Sequence, residues 1–531
     1  MKMNKSFMNS LIFLGNSLTK PFDRNFSEFN TSHYELSQVI PFLYTDEQEP
    51  DFLVVILDST FFFENVADEN PKHEVEDLNN AFRAYREKNK TTKIILTNVV
   101  FPFPEIILNE SSSGHEVLFR LNSEIKKITC DLNDFLIADV YRNSLIYGYE
   151  NIFNLKLKFL FQMPFQANGV NIISNEIKDK INMLSKARKK VIIVDADNTL
   201  WGGIIGEDGI DNIAIDENYP GIVYKYLQNF LLKIKNSGLI LALVSKNNEF
   251  DVKEIFSKKN MPLSFEDFLI TRINWLPKSE NIKSISDELN LGLDSFVFLD
   301  DSEYEISEVR SRLKGVDCYL MNPDNPLENL DILYGLISLK TISITKEDQK
   351  KFSMYKDNFA RNNEKGKFDS IDNFHKSLNM EIQFNVNNRS NIDRISQLTM
   401  KTNQFNMTSK RYSTSDISNF MEGSFVFDFS LKDRFGDMGI IGVAIVADSR
   451  LDTLLLSCRV LGRGVENKIM HILQSYLNFP KIKCDFIKTD KNSAFMSFYK
   501  DIGAKKYKDR GNIRTFLLDN KIKDVEHIKI N

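Results

Sequence analysis

Val191-Ile192-Ile193-Val194-Asp195-Ala196-Asp197-Asn198-Thr199 is the stretch on which the reading of this chain turns. Four consecutive branched apolar residues suit a strand buried on both faces of a parallel sheet. Two carboxylates two positions apart then stand at its carboxyl edge, where open α/β sheets place their ligands. Two further apolar runs end the same way: Leu239 to Val244 leads into Ser245-Lys246-Asn247-Asn248, and Phe296-Val297-Phe298-Leu299 leads into Asp300-Asp301. Between them, Lys278 precedes a helix with Ile282, Ile285 and Leu289 on one face. Acids, a hydroxyl and a lysine thus converge on one sheet edge.

Outward from this centre, 531 residues suggest three or four domains at about 150 residues each. A hydrophobic content of 42% supports packed cores and argues against disorder. Lys plus Arg is 68 against 73 Asp plus Glu, a formal net charge of −5, so no global basic field calls for nucleic acid. No apolar run approaches the roughly 18 residues that span a bilayer, and Leu11 to Leu14 is too short for a signal-peptide core. Cys130, Cys318, Cys458 and Cys484 are far apart and form no paired-cysteine motif, which points away from a disulfide framework or zinc site. The expectation is a soluble cytoplasmic protein with neither a nucleic-acid nor a membrane partner.

Before the centre, Leu11–Leu14, Phe52–Leu57, Lys93–Thr97 and Phe135–Ala138 read as strands separated by helical stretches, hence a parallel α/β sheet. Asn175 to Lys190 reads as a connecting helix. After the centre, a charged helical segment from Lys346 to Asn379 leads to a strand, Met380–Val386, and a helix with Ile392, Ile395 and Leu398 on one face. The domains are placed at 1–185, 186–340 and 380–531, with a helical linker at 341–379.

The order Asp-x-Asp-x-Thr, strand–Ser, Lys, strand–Asp-Asp resembles the haloacid dehalogenase (HAD) superfamily of phosphotransferases. A carboxylate can attack an anionic phosphoryl group only where a cation neutralises both, and Mg²⁺ held by oxygen ligands does so. The resemblance implies Asp195 as nucleophile and Asp197 as general acid/base, with Thr199 completing the motif. It implies Mg²⁺ on the carboxylates of Asp195 and Asp301 and the backbone carbonyl of Asp197. Ser245 and Lys278 would hold phosphoryl oxygens, and Asp300 would be the supporting acid. Thr199 and Ser245 are 46 positions apart, and Ser245 and Lys278 are 33 apart. The first interval already holds the turn Trp201-Gly202-Gly203 and a helix with Pro220 at its first position and Val223, Leu227, Phe230 and Ile234 on one face. That leaves no room for a cap domain, and an uncapped site favours protein or carrier-bound substrates.

Within that superfamily, Val194 to Gly203, Glu207-Asp208-Gly209, Ser245 to Asn248, Ile273-Asn274-Trp275 and Leu291 to Asp301 resemble the FkbH-like proteins. This implies loading of a glyceryl-type unit from 1,3-bisphosphoglycerate onto an acyl carrier protein. Attack by Asp195 on the acyl phosphate's phosphorus would discard the acyl activation, so a thiol must take the carbonyl and Asp195 the remaining phosphate monoester. The family's acyl-accepting cysteine directly before the Ser-Lys-Asn element is here Val244. Either the carrier's phosphopantetheine thiol attacks directly, or the protein is a phosphatase of a phosphoprotein or sugar phosphate that forms no thioester. A carrier-binding scaffold with decayed sites is the third reading.

In the last region a strand pattern, Leu454 to Cys458, is followed by Arg459-Val460-Leu461-Gly462-Arg463-Gly464 and a helix bearing Val465, Ile469, Leu473 and Tyr476. Glycines before a helix expose N–H groups to a pyrophosphate. With Asn492, Tyr499 and Gly503 further on, this resembles the GNAT acyltransferase fold over about 380–520. The resemblance implies that Arg459, Gly462, Arg463, Gly464, Asn492 and Tyr499 bind coenzyme A or a phosphopantetheine arm, Tyr499 serving as proton donor to the thiol. Cys458 is read as buried packing, and the loop Thr402 to Asn406 with Arg411-Tyr412 as turn and capping chemistry. At the amino end, Leu14-Gly15-Asn16-Ser17 after a strand resembles the nucleophile turn of SGNH hydrolases. The six histidines offer that serine no Asp-x-x-His base. The fold expectation is therefore α/β in three domains: a degenerate SGNH-like parallel sheet, covering the phosphoryl site or docking a partner, a capless HAD-like Rossmannoid domain, and a GNAT-like mixed domain.

Overall fold

The structure, a computed structural model, describes residues 9–15, 17–45, 48–57, 61–62, 72–89, 91–100, 114–132, 134–161, 163–185, 188–336, 339, 346–365, 367–402, 404–478, 481–489, 491–510 and 512–531. The described residues are α/β and form three separate sheets. It divides into two compact units, residues 1–190 with 293–297 and 314–343, and residues 191–292 with 298–313 and 344–531.

The amino-terminal sheet contains β1 (Ser10–Gly15), β2 (Asn30–Tyr34), β3 (Phe52–Ile56), β4 (Lys93–Thr97) and β5 (Phe135–Ala138), in the order β2-β1-β3-β4-β5 and parallel throughout. Its central strands are continuous apolar runs because both faces are covered. Leu78, Phe82 and Tyr85 of the helix Lys72–Lys88 pack on one side, and Val170, Ile173 and Ile177 of the helix Ala167–Ser185 on the other. That second helix begins at Ala167, upstream of the expected Asn175, and its buried face starts at Gly169, before the charged residues read from the sequence. The edge strand β2, Asn-Thr-Ser-His-Tyr, lacks an apolar pattern and was not legible.

The middle sheet holds β6 (Val191–Val194), β7 (Ile240–Ser245), β8 (Ile270–Ile273), β9 (Phe296–Asp300) and β10 (Asp317–Leu320) in the order β10-β9-β6-β7-β8. Strands β6, β7 and β9 are wholly buried. Between β6 and β7 lie only a turn and the helices Ile205–Asn212 and Gly221–Asn236, so no cap domain is inserted. Pro220 stands just before the second helix rather than at its first position.

The carboxyl-terminal sheet is mixed. Strands β11 (Met380–Val386), β13 (Phe425–Asp433), β14 (Gly436–Ala447), β15 (Arg450–Leu456), β16 (Ile482–Ile487), β17 (Lys505–Arg510), β18 (Ile513–Leu518) and β19 (Ile528–Ile530) run in the order β17-β18-β16-β15-β14-β13-β11-β19, and β12 (Phe405–Asn406) pairs with β15. Strand β15 ends at Leu456, and Cys458 lies in the following turn, not in a strand interior. The expected linker is two helices, Lys346–Lys365 and Ile371–Ser377. Among the described residues, no helix is long and apolar enough to cross a membrane.

Candidate active site

The carboxyl ends of β6, β7 and β9 and the first turn of the helix Lys278–Leu289 bring Asp195, Asp197, Ser245, Lys278, Asp300 and Asp301 to one place, all within the second compact unit. Asp195 continues β6, its N–H donating to Leu299 O at 3.0 Å. Carboxylate oxygens of Asp195, Asp300 and Asp301 lie within 4.8 Å of one another. Lys278, only 3% exposed, donates from Nζ to Asp300 Oδ2 at 2.5 Å and pairs with Asp195 Oδ1 at 3.0 Å. The second contact lacks hydrogen-bond alignment, and Asp195 Oδ1 is otherwise a buried oxygen with no hydrogen-bond partner. Asp300 is fully used, since its Oδ1 accepts from Ser302 N at 2.9 Å.

One lysine among three crowded carboxylates leaves excess negative charge. Burial, then the Asp195 charge, pushes Asp300 up to about 7, against the opposing pull of Lys278. Burial and Asp195 likewise raise Asp301, partly offset by a hydrogen bond from Asn198. Burial alone would lower Lys278, but Asp195 and Asp300 outweigh it and hold the ammonium charged. A hard divalent cation suits these oxygens. Asp195 and Asp301 would hold Mg²⁺ here, with Asp300 tied to Lys278 beside them. The carboxylate grouping adds Asp300 to the two carboxylates, Asp195 and Asp301, that the sequence reading named, while Asp197 was named there for its backbone carbonyl.

The side chain of Asp197 is engaged elsewhere. Its Oδ1 accepts from Trp201 Nε1 at 2.9 Å and Ile205 N at 3.3 Å, and its Oδ2 from Asn247 Nδ2 at 2.8 Å. Burial raises its pKa, the three hydrogen bonds lower it, and Asp195 raises it further. A group so held keeps one orientation while remaining able to carry a proton, as a general acid must. Asn198 turns the chain with φ 54° and accepts from Gly203 N at 2.9 Å, closing the loop around Asp197. Thr199 is fully buried beneath this turn, its hydroxyl without a partner. Ser245 is 2% exposed and accepts from Asn247 Nδ2 at 3.3 Å.

Sequence reasoning missed the supports. Trp201 and Asn247 orient Asp197, and Lys246 Nζ donates to Glu305 Oε1 at 2.6 Å, tying the loop after β7 to the helix after Asp301. Glu305 is buried, and its second oxygen has no partner. The Ser245 to Asn248 tract signalled that polar residues follow a strand, but not which carboxylate each would reach.

The carboxyl-terminal candidates are placed differently from one another. Gly462 and Gly464 do turn the chain into the helix Val465–Leu477 with φ 75° and 80°. Arg459 and Arg463, however, are engaged by the helix Lys346–Lys365, Asn492 is consumed by backbone carbonyls, and Tyr499 is 1% exposed in the core. The expectation that these residues bind coenzyme A or a phosphopantetheine arm thus meets side chains that are already bonded or buried within the fold. At the amino end, Asn16 and the side chain of Ser17 lie outside the described residues. Sequence spacing also missed that His33 Nε2 meets Asp23 Oδ1 at 2.6 Å and Nδ1 meets Thr19 Oγ1 at 2.9 Å. Thr19 is 2% exposed, so this trio ties a turn to β2 and leaves its hydroxyl closed to substrate.

No family model and no curated protein sequence matches the chain. Among solved structures, it resembles the N-terminal part of the protein BF1531 from Bacteroides fragilis, containing a phosphatase domain complexed with Mg, at 28% identity and TM-score 0.54 over 63% of this chain and 94% of that one. Two weaker likenesses add no weight. A GNAT-family acetyltransferase from Listeria monocytogenes gives 13% identity and TM-score 0.20 over 26% of this chain and 95% of that one. A GDSL-like lipase from Parabacteroides merdae gives 11% and 0.23 over 34% and 98%.

Proposed function

We propose that the protein is a Mg²⁺-dependent phosphatase of the FkbH-like type, which clears phosphate from a phosphoglyceryl-type unit while the acyl group passes to an acyl carrier protein. The observation that carries the phosphatase part is the meeting of Asp195, Asp301 and the Lys278–Asp300 pair at the strand ends, with Asp197 held separately by three hydrogen bonds. Bound Mg²⁺ would neutralise phosphoryl and carboxylate charge there. Asp195 attacks phosphorus, forming an aspartyl phosphate as the ester P–O bond breaks. Asp197 gives its proton to the leaving oxygen, then takes one from the water that attacks the same phosphorus and releases phosphate. Lys278 steadies the phosphoryl oxygens beside Ser245.

Thioester formation needs a thiol. Val244, at the position before Ser245, is fully buried, and burial pushes the Cys484 thiol far up, leaving it inert. In this reading the thiol is the carrier's own. The second reading, hydrolysis of a phosphoprotein or sugar phosphate without acyl transfer, is favoured by Val244. A phosphopantetheinylated carrier incubated with the protein, Mg²⁺ and 1,3-bisphosphoglycerate separates them by intact mass. A gain matching a glyceryl group supports transfer, while phosphate release with an unchanged carrier supports the second reading.

A further inference from the structure

Strands β15 and β16 pair in parallel only at Arg450 with Lys483 and Leu451 with Cys484, and beyond those positions the ladder between them stops. A fork of this kind offers the edges of two strands to an extended ligand, which could add there as a further strand. Here the chain fills its own fork. Phe405 and Asn406 pair antiparallel with Leu456 and Leu455 of β15. Met407 then bridges the two edges, its N–H donating to Leu454 O at 3.0 Å and its carbonyl accepting from Ile487 N of β16 at 2.8 Å. Phe405, Asn406 and Met407 are fully buried and Thr408 is 3% exposed. The Phe405 ring packs on Phe495 and Phe498 with centroids 4.9 and 5.2 Å away, and Thr408 Oγ1 stands 3.3 Å from Thr453 Oγ1 on β15.

The residues expected to hold a cofactor secure this filler or serve the fold. Asn492 Nδ2 donates to Asn406 O and to Ile487 O, each at 2.9 Å, while its Oδ1 accepts from Thr489 N at 2.8 Å. Tyr499 lies against Phe498 and Phe516, its hydroxyl buried and without a partner. Arg459 donates to Ser457 Oγ and the Met354 sulfur, and Arg463 Nη2 to Asn358 Oδ1 at 2.9 Å. Glu466, in the first turn of the helix Val465–Leu477, folds its carboxyl group back onto its own N–H, so that a donor a pyrophosphate would use is already engaged, while burial raises its pKa.

We infer that the carboxyl-terminal domain binds neither coenzyme A nor a phosphopantetheine arm, because its own segment Phe405–Thr408 fills the fork between β15 and β16 and the side chains expected to hold such a ligand are bonded or buried within the fold. Any thiol reaching the phosphoryl site then comes from outside this domain, and the acyltransferase-like fold serves as a closed body. The inference stands apart from the phosphatase reading, since none of its residues belongs to that site.

Hydrogen exchange on the full chain, with and without coenzyme A or acetyl-coenzyme A at about 1 mM, tests it. The expected result is slow exchange at Met407 and Ile487, unchanged by either compound, with no added protection over 459–466. Protection gained at 404–409 or 459–466 that saturates with either compound would overturn the inference. In Asn492→Ala, exchange at Met407 and Ile487 should quicken at least about tenfold, because a buried hydrogen-bonding staple is lost. An unchanged rate there would contradict the stapled filler.

Discussion

The phosphoryl site and the carboxyl-terminal fork are both strand-end sites, and they differ in what is left unbonded. At the first, Asp195 Oδ1 has only a poorly aligned lysine, and three carboxylates crowd within 4.8 Å. That excess charge is intelligible as half of a site whose other half is a cation and a phosphoryl group. At the second, the strand edges are bonded by Met407 and the Asn492 amide is spent on carbonyls. A likeness of motif therefore did not distinguish the two; the state of the polar atoms did.

The comparison can be broken most severely at Asp197. Replacing it with Asn keeps a group able to accept from Trp201 but removes the transferable proton, so turnover should fall by about 10²–10⁴ with little change in melting temperature. Turnover within a few-fold of the parent protein would remove Asp197 from the mechanism. The fork offers the opposite result. Phe405→Ala should destabilise by about 3 kcal/mol, read by denaturant unfolding, because a fully buried ring is lost. Phosphate release at a temperature where the variant stays folded should be unaltered.

Smaller effects sharpen the contrast. Glu305→Gln weakens the buried Lys246 pair and should cost about 1–3 kcal/mol of stability. Asp428 is buried, with one oxygen accepting from Asn385 and Asn391 and the other unpaired. Burial raises its pKa, against the effect of those two hydrogen bonds. A carboxyl whose folded pKa lies above its unfolded one supports stability at low pH and loses that contribution as pH rises through the folded value. Asp428→Asn should therefore gain stability at pH 7, read by denaturant unfolding, with the gain vanishing in acid below the carboxylate range. A gain that persisted at low pH would point to packing instead.

Much of the phosphoryl site was legible because all of its residues but Lys278, which opens a helix, follow an apolar run that reads as a buried strand: Val191–Val194, Leu239–Val244 and Phe296–Leu299. The short, half-buried β8 and the polar edge β2 carry no such pattern, so they were invisible. The supports of Asp197 were hidden for a different reason. Trp201 Nε1 and Asn247 Nδ2 reach it through tertiary placement, which spacing does not encode. The filled fork was not foreseen because Thr402 to Asn406 reads as a loop until Phe405 and Asn406 are seen paired with β15.

The central claim is that Asp195 carries the phosphoryl group, and phosphate release from a simple phosphate monoester, with and without Mg²⁺, by the parent protein and Asp195→Asn tests it most directly. The exchange is nearly isosteric, so the fold should persist. Mg²⁺-dependent release by the parent protein and at least about a thousandfold loss in the variant are expected. Equal release by both would contradict the account.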